Sequence, residues 1–374
     1  MSTLATTPPL SRQRLITELQ THGIHVINPQ TRHVSRQGGA GPTDHQAVTI
    51  DGLTVMVPVH SNPAQYSPYS AQHVDRGESM VTTLMKDTIP LLDISFASKP
   101  NFYSRMTVDG VPYSQIATLH GTDVLATTVL QRCIRYDNRR KACKFCAIGQ
   151  SLAAGRTIVH KSPAQLAEVA KSAVELDGVK HMVMTTGTPH SNDRGAAVLC
   201  ESAIAIKAAV DIPLQGQCEP PEDPVWYQRM KDAGIDALGM HLEAVTEEVR
   251  QHIMPGKASI SVEHYMTAFA QAVEVFGRGQ VSTYILAGLG DSQQAILDIC
   301  TRLIDLGVYP FVVPFVPVRG TPLEDHTPPT ADFMEGILKP LGRMLRDNQL
   351  RSTDIKAGCG RCGACSSLAI YETE

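Results

Sequence analysis

The chain has 374 residues, 43% of them hydrophobic and 19% charged, enough for one large domain with extensions or for two ordinary ones. A formal net charge of -4 offers no electrostatic footprint for nucleic acid or an anionic membrane. The opening MSTLATTPPLSRQR lacks the apolar core of a signal peptide, and no later run could span a bilayer, so the sequence reads as cytoplasmic.

In chain order, residues 1–120 read as a β-containing extension. Val48–Val57 alternates around Asp51-Gly52, a hairpin signal, and Met106–Val111 repeats it around Asp109-Gly110. Residues 29–46 and 60–78 are polar and rich in Gly and Pro, and are expected to form loops. From residue 124 the pattern changes to alternating strands and helices. The strand candidates are 124–130, 181–187, 214–218, 237–243, 280–287 and 311–317. Ser162-Pro163 predicts an N-cap with proline at the first helical position, and Asp177-Gly178 closes that helix. Further helices are expected over roughly 194–209, 223–233, 259–276 and 292–306. Parallel strands need such crossovers. The predicted fold class is therefore α/β: a partial or full (β/α) TIM-type barrel over residues 121–345, with a flat doubly wound sheet as the alternative. Residues 346–374 form a cysteine-rich tail expected to dock on the barrel.

Nine cysteines require an explanation. Cys133, Cys143 and Cys146 form one triplet, and Cys359, Cys362 and Cys365 another, while Cys200, Cys218 and Cys300 stand alone. Tight triplets in a chain without a secretory leader read as metal sites rather than disulfides. The first triplet follows the first barrel strand, in the kind of βα loop where barrels build their sites. Three thiolates can hold three irons of a 4Fe–4S cube and leave the fourth open, whereas structural zinc usually takes four protein ligands. In the tail, Gly358-Cys359-Gly-Arg-Cys362-Gly-Ala-Cys365 makes two successive Cys-x-x-Cys steps with glycines that permit a tight wrap. A second iron–sulfur cluster is expected there, with zinc or free thiols as alternatives. Cys200 and Cys300 fall in helices and read as small packed residues, and Cys218 lies near a strand end.

Cys143-Lys-Phe145-Cys146 resembles the Cys-x-aromatic-Cys ending of the radical S-adenosylmethionine (SAM) signature. The gap before it is nine residues, where the common spacing is three. Thr186-Gly187-Thr188-Pro189 is similar to that family's Gly-Gly-Glu-Pro motif, with threonine replacing the acid. Tyr284–Asp291, containing Gly288-Leu-Gly290, resembles its fifth-strand segment, whose backbone lies along the adenine. Phe315–Leu323 resembles its sixth-strand ending. Such matches at successive strand ends place the resemblance over residues 124–325, in the biotin-synthase-like branch. It is closest to the proteins encoded beside a nitrilase in bacterial clusters linked to cyanide assimilation.

The resemblance implies SAM bound to the open iron and cleaved reductively to a 5′-deoxyadenosyl radical, which takes hydrogen from a small-molecule substrate. It also implies an electron donor such as flavodoxin or ferredoxin. The implied SAM contacts are Phe145, Thr186, Gly187, Thr188, Glu219, Glu243 and Gly288. Tyr265 stands where the branch often has an arginine, so Lys257 is the candidate cation for the methionine carboxylate. His241 is expected to face the barrel interior with Glu243, as a substrate contact or a core histidine. Arg319 reads as an anion contact or a surface arginine. Arg135, Arg139, Arg140 and Lys141, inside the wide gap, read as charge compensation or as a solvated loop. No residue is assigned to chemistry on the substrate. The rival readings are a sulfur-inserting enzyme with the tail cluster as donor, and a zinc scaffold without catalysis.

Overall fold

A computed structural model describes residues 11–26, 45–75 and 80–373. The expected loop over 29–46 lies outside the described residues up to position 44. Helix α1 (Arg12–His22) starts on Ser11, whose hydroxyl accepts from Arg14 N. A six-stranded sheet follows: β1 (His25–Val26), β2 (His45–Ile50), β3 (Leu53–Pro58), β4 (Tyr69–Asp75), β5 (Met80–Lys86) and β6 (Ile89–Phe96). The hairpin around Asp51-Gly52 is present, with Ile50 opposite Leu53 and both turn residues at positive φ. The loop expected over 60–78 is half wrong, because Tyr69–Asp75 pairs along β5 and buries Tyr69 and Ala71. The second hairpin signal gives a turn with one bridge, Met106 to Pro112. Its polar groups bind a helix instead: Gln165 Nε2 donates to Asp109 at 2.8 Å and Val108 N to Glu168 at 3.0 Å.

The second sheet is the expected barrel, and it is partial. Its strands are β7 (Thr118–His120), β8 (Val124–Thr128), β9 (His181–Thr185), β10 (Leu214–Gln217), β11 (Ala237–Gly239), β12 (Val281–Ala287) and β13 (Val308–Pro314). From β8 to β13 all neighbours are parallel, while β7 adds antiparallel at one open edge and β13 forms the other. Pro310 and Pro314 lie in β13, where the missing N–H groups belong on an edge. The helices are α2 (Tyr113–Ile116), α3 (Ile148–Ala153), α4 (Pro163–Asp177), α5 (Ala196–Ala209), α6 (Val225–Asp232), α7 (Glu247–Ile253), α8 (Val262–Phe276), α9 (Gln293–Leu306) and α10 (Ala331–Asp347), with α11 (Cys359–Cys362) and α12 (Leu368–Tyr371) in the tail. The sequence signals at α4 are realised: Ser162 and Gln165 form a capping box, and Gly178 ends the helix left-handed.

Strand β11 stops four residues before the expected Glu243. Beyond Gly239 side chains take ladder positions, Leu242 N donating to Thr283 Oγ1 at 2.9 Å and Tyr284 N to His241 Nδ1 at 3.2 Å, and Arg250, fully buried, takes the carbonyls of Leu242, Ala244 and Ile260 at 2.8–3.1 Å. Two of those carbonyls flank Glu243, which sits at φ 65 and touches β12 through one bridge to Ile285.

The main core lies between this sheet and helices α4–α10, and a smaller one between α1 and the first sheet. The tail docks as expected. Gly358 N donates to His181 Nδ1, Ser366 Oγ to Val312 O, and Ile370 packs on the smaller core.

Candidate active site, a cavity between two cysteine triplets

Alternate residues of the barrel strands face one cavity of about 410 Å³: Val124, Ala126 and Thr128 from β8, Val183 and Thr185 from β9, Tyr284 and Leu286 from β12. Residues of both cysteine triplets line it. The Cys133 loop leaves the C-terminal ends of the strands. The tail sits at their N-terminal ends, against His181 at the start of β9 and Gly121 just before β8. Strand β8 has five residues, so the two mouths lie on the order of 15 Å apart.

The first loop is built into the barrel despite its length. Ile134 N donates to Thr188 O at 2.9 Å and Gly187 N to Leu130 O at 2.9 Å, which stitches the loop to the turn ending β9. Gly187 admits no side chain, because a Cβ there would run into the Arg132 carbonyl. Farther along, Gly256 N donates to Lys141 O and Lys144 N to Ile253 O. Phe145 packs with the buried cluster of Ile253, Leu289 and Phe315. The basic residues of the gap divide: Arg139, Arg140 and Lys141 are exposed, while Arg135 is buried. Arg135 binds both oxygens of Glu219, at 2.7 and 2.6 Å, and also the Gly256 carbonyl.

A second buried pair, Lys257 Nζ to Glu243 at 2.8 Å, stands on the same wall. Burial works against both cations and against Glu219, and the partners reverse it. Arg135 and Lys257 are held above their ordinary pKa, and Glu219 below the usual carboxylate range. Burial pushes the Cys143 thiol well up, with Glu243 adding to the shift, Lys257 opposing it, and Cys146 and Cys133 adding further. Burial likewise moves Cys146 up to about 12. These thiols therefore feel one another across a shared space. Among the described residues no three His, Cys, Asp or Glu side chains stand close enough together to hold a single metal ion. The donor set nevertheless fits an iron–sulfur cluster: three soft thiol ligands at one mouth of a half-open, largely apolar cavity, with a buried cation nearby. A bound metal would reverse the effect of burial on such thiols.

Of the residues predicted from sequence, Phe145, Thr186, Gly187, Thr188, Glu219 and Glu243 all line this cavity, together with Lys257 and Cys218. Gly288 is not among the lining residues; it turns at φ 107 against Pro329, and its carbonyl meets His326 Nε2 at 2.9 Å. His241 shares the cavity wall with Glu243, its Nδ1 accepting from Tyr284 N at 3.2 Å. Burial, aided by Lys257, lowers its pKa to about 3, which keeps it neutral. Arg319 lies at the surface, bonded to Asn62. Cys300 is buried in α9 and Cys200 partly buried in α5. Tyr265 is fully buried beneath the Arg250 guanidinium. The cavity also recruits residues with no sequence signal: Gln217 on β10, His120 at the end of β7, and Gln20, His45 and Met56 from the extension. Each belongs to an element whose neighbours only the tertiary fold supplies.

The Radical SAM superfamily model matches residues 138–303, which takes in Cys143 and Cys146 and begins five residues after Cys133. The chain is 25% identical over 217 residues to the bacteriochlorophyllide c C-7(1)-hydroxylase of Chlorobaculum limnaeum, covering 53% of this chain and 54% of that one. It is 27% identical over 125 residues to a probable dual-specificity RNA methyltransferase RlmN of Moorella thermoacetica, covering 33% and 35%. The chain thus spans about half, or less, of the length of these relatives. Among solved structures, a radical SAM methyltransferase from Sphaerobacter thermophilus aligns with a TM-score of 0.45 and 15% identity, over 80% of this chain and 81% of that one. The relatives named for RNA leave no support for excluding nucleic acid on net charge alone. Among the described residues no helix is long and apolar enough to cross a membrane. Residues 138–303, the stretch similar to the Radical SAM superfamily, fall within the open (β/α) barrel.

Proposed function

We propose that the chain binds a 4Fe–4S cluster on Cys133, Cys143 and Cys146 and uses it to cleave SAM reductively, directing the outcome at a small molecule held in the barrel cavity. The single observation that carries this reading is the shared cavity. The loop triplet, two ion pairs (Arg135–Glu219 buried, Lys257–Glu243 partly so) and an apolar lumen face the same half-open cavity.

The cluster and SAM together supply a 5′-deoxyadenosyl radical when bound; the protein's part is binding, orientation and exclusion of water. Lys257 and Glu243 present one buried charge of each sign, which complements the carboxylate and ammonium of a methionine end. Thr186–Thr188 adds carbonyls and hydroxyls beside the cluster loop. Arg135 and Glu219 neutralise each other and hold the loop against the barrel. Neutral His241 offers the lumen a ring without charge. A largely apolar lumen of about 410 Å³ is of a size for a small substrate, and an external one-electron donor such as flavodoxin or ferredoxin would feed the cluster.

Glu243, the acidic residue four positions past the fourth parallel strand, supports the biotin-synthase-like branch as part of this proposal, with the cyanide-assimilation clusters as its genetic context. The tail triplet would hold a second iron–sulfur cluster. Because its thiols line the same cavity, sulfur insertion from that cluster is the second reading. Domain limits at 1–120, 121–345 and 346–374 belong to the same proposal.

The test is anaerobic reconstitution followed by assay of 5′-deoxyadenosine under dithionite. The wild type should produce it, and Cys133→Ala, Cys143→Ala and Cys146→Ala should each lose it. Full production by Cys133→Ala would remove the wide gap from the cluster loop. A colourless protein containing zinc and no iron would replace catalysis with the scaffold reading.

A further inference from the structure

We infer that His120 is the fourth protein ligand of the metal centre on Cys359, Cys362 and Cys365, which makes the tail a closed Cys3His site rather than one with an open position. The inference rests on the reading that the tail holds a metal.

His120 ends β7, and a turn through Gly121, at φ 61, leads back into β8. That turn lies against the tail. His120 Nε2 is 3.3 Å from Cys365 Sγ, across 245 positions of sequence. A Cβ on Gly121 would stand 3.4 Å from Cys362 Sγ, so two of the three thiols face this two-residue stretch. The third, Cys359 Sγ, accepts from Gln217 Nε2 at 3.3 Å. All three thiols lie close enough to Tyr284 to raise its pKa, and its hydroxyl is hydrogen-bonded to Cys365. His120 and the three thiols thus all line the N-terminal mouth of the cavity, with the imidazole in contact with one of them.

This arrangement is held from several sides. Met56 N and Gln20 Nε2 both donate to the Ala364 carbonyl, at 2.7 and 3.0 Å. Cys359 N donates to Gln215 Oε1 at 3.3 Å. Gly358 lies at φ 114, with Gln215 where its Cβ would go. A segment anchored by α1, β3, β9 and β10 presents its thiols in fixed positions, as a ligand loop requires. Thiolates with one imidazole suit zinc and iron–sulfur centres alike. A proton shared between imidazole and thiol is what either would displace.

The test uses the full chain carrying Cys143→Ala, which leaves the tail as the intact triplet, after anaerobic reconstitution with iron and sulfide. Iron and zinc are counted, and nitrogen hyperfine coupling and midpoint potential are measured on the reduced centre. The expected result is about four tail irons per chain with directly coupled nitrogen. His120→Ala should lose that coupling and shed iron. His120→Cys should keep the iron, lose the coupling and lower the potential, because imidazole in place of thiolate raises it. A tail cluster of unchanged potential and without nitrogen coupling in all three proteins would overturn the inference and leave the second cluster standing. One zinc per chain, lost in His120→Ala, would support His120 as ligand and end the cluster reading. A tail with neither metal would end both.

Discussion

Glu219 and Arg135 are each buried, with side chains 7% and 10% exposed, and each compensates the other's charge. Replacing one leaves the other uncompensated, so Glu219→Ala should destabilise the chain by about 3–5 kcal/mol in urea unfolding. The double variant Arg135→Met with Glu219→Leu should recover much of that loss; additive losses would show that the pair is not coupled. Lys161 is a different case: fully buried, it donates to Thr128 O at 2.6 Å, and burial lowers its pKa from 10.5 to about 7. Between those values the unfolded chain holds the extra proton, so this group makes stability rise with pH from about 7 toward 10.5. Lys161→Met should flatten the rise in unfolding midpoints over that window, and an unaltered slope would exonerate the residue. Neither role was legible in the sequence. Arg135 looked like its three basic neighbours, and nothing in the local pattern separates the buried arginine from the solvated ones.

At the scale of elements, local signals served well where they were complete. The Ser162 capping box, the Gly178 stop and the Asp51-Gly52 turn are specified by a few adjacent residues and form as read. Helix α10 went unread; its 17 residues carry Pro340 in the interior, which obscures the periodic pattern, although Thr330 caps it. Strand β11 was read too long because the side chains of Thr283 and His241 take ladder positions beyond Gly239, contacts visible only in three dimensions. The glycine at the end of β9 carries the sharpest test at this scale. Gly187→Ala places a methyl against the Arg132 backbone, so the cluster loop must shift. The first cluster should then be lost, reducing reconstituted iron by about four per chain while the tail keeps its own. Retention of all the iron would mean that the loop tolerates the displacement. Cutting the chain before Gly358 is a poorer probe, because Ser366, Ser367 and Glu372 tie the tail to Val312, Thr17 and Tyr309.

Over the whole molecule, the strand–helix alternation was enough to predict six parallel units, and the order of motifs placed the loop triplet and its neighbours on one side of the barrel. The relation between the two cysteine triplets was not accessible in this way, since Cys146 and Cys359 are 213 positions apart and only the tertiary fold sets them at opposite mouths of one cavity. The same holds for the extension, whose Met56 and Gln20 clasp the tail. The central claim is that the Cys133 triplet holds a cluster with one iron open to SAM inside this cavity. Electron paramagnetic resonance of the dithionite-reduced protein, recorded with and without SAM, tests it most directly. SAM should shift the signal of one cluster, and that SAM-sensitive signal should vanish in Cys143→Ala. A spectrum indifferent to SAM, or a SAM-sensitive signal that survives Cys143→Ala, would contradict it.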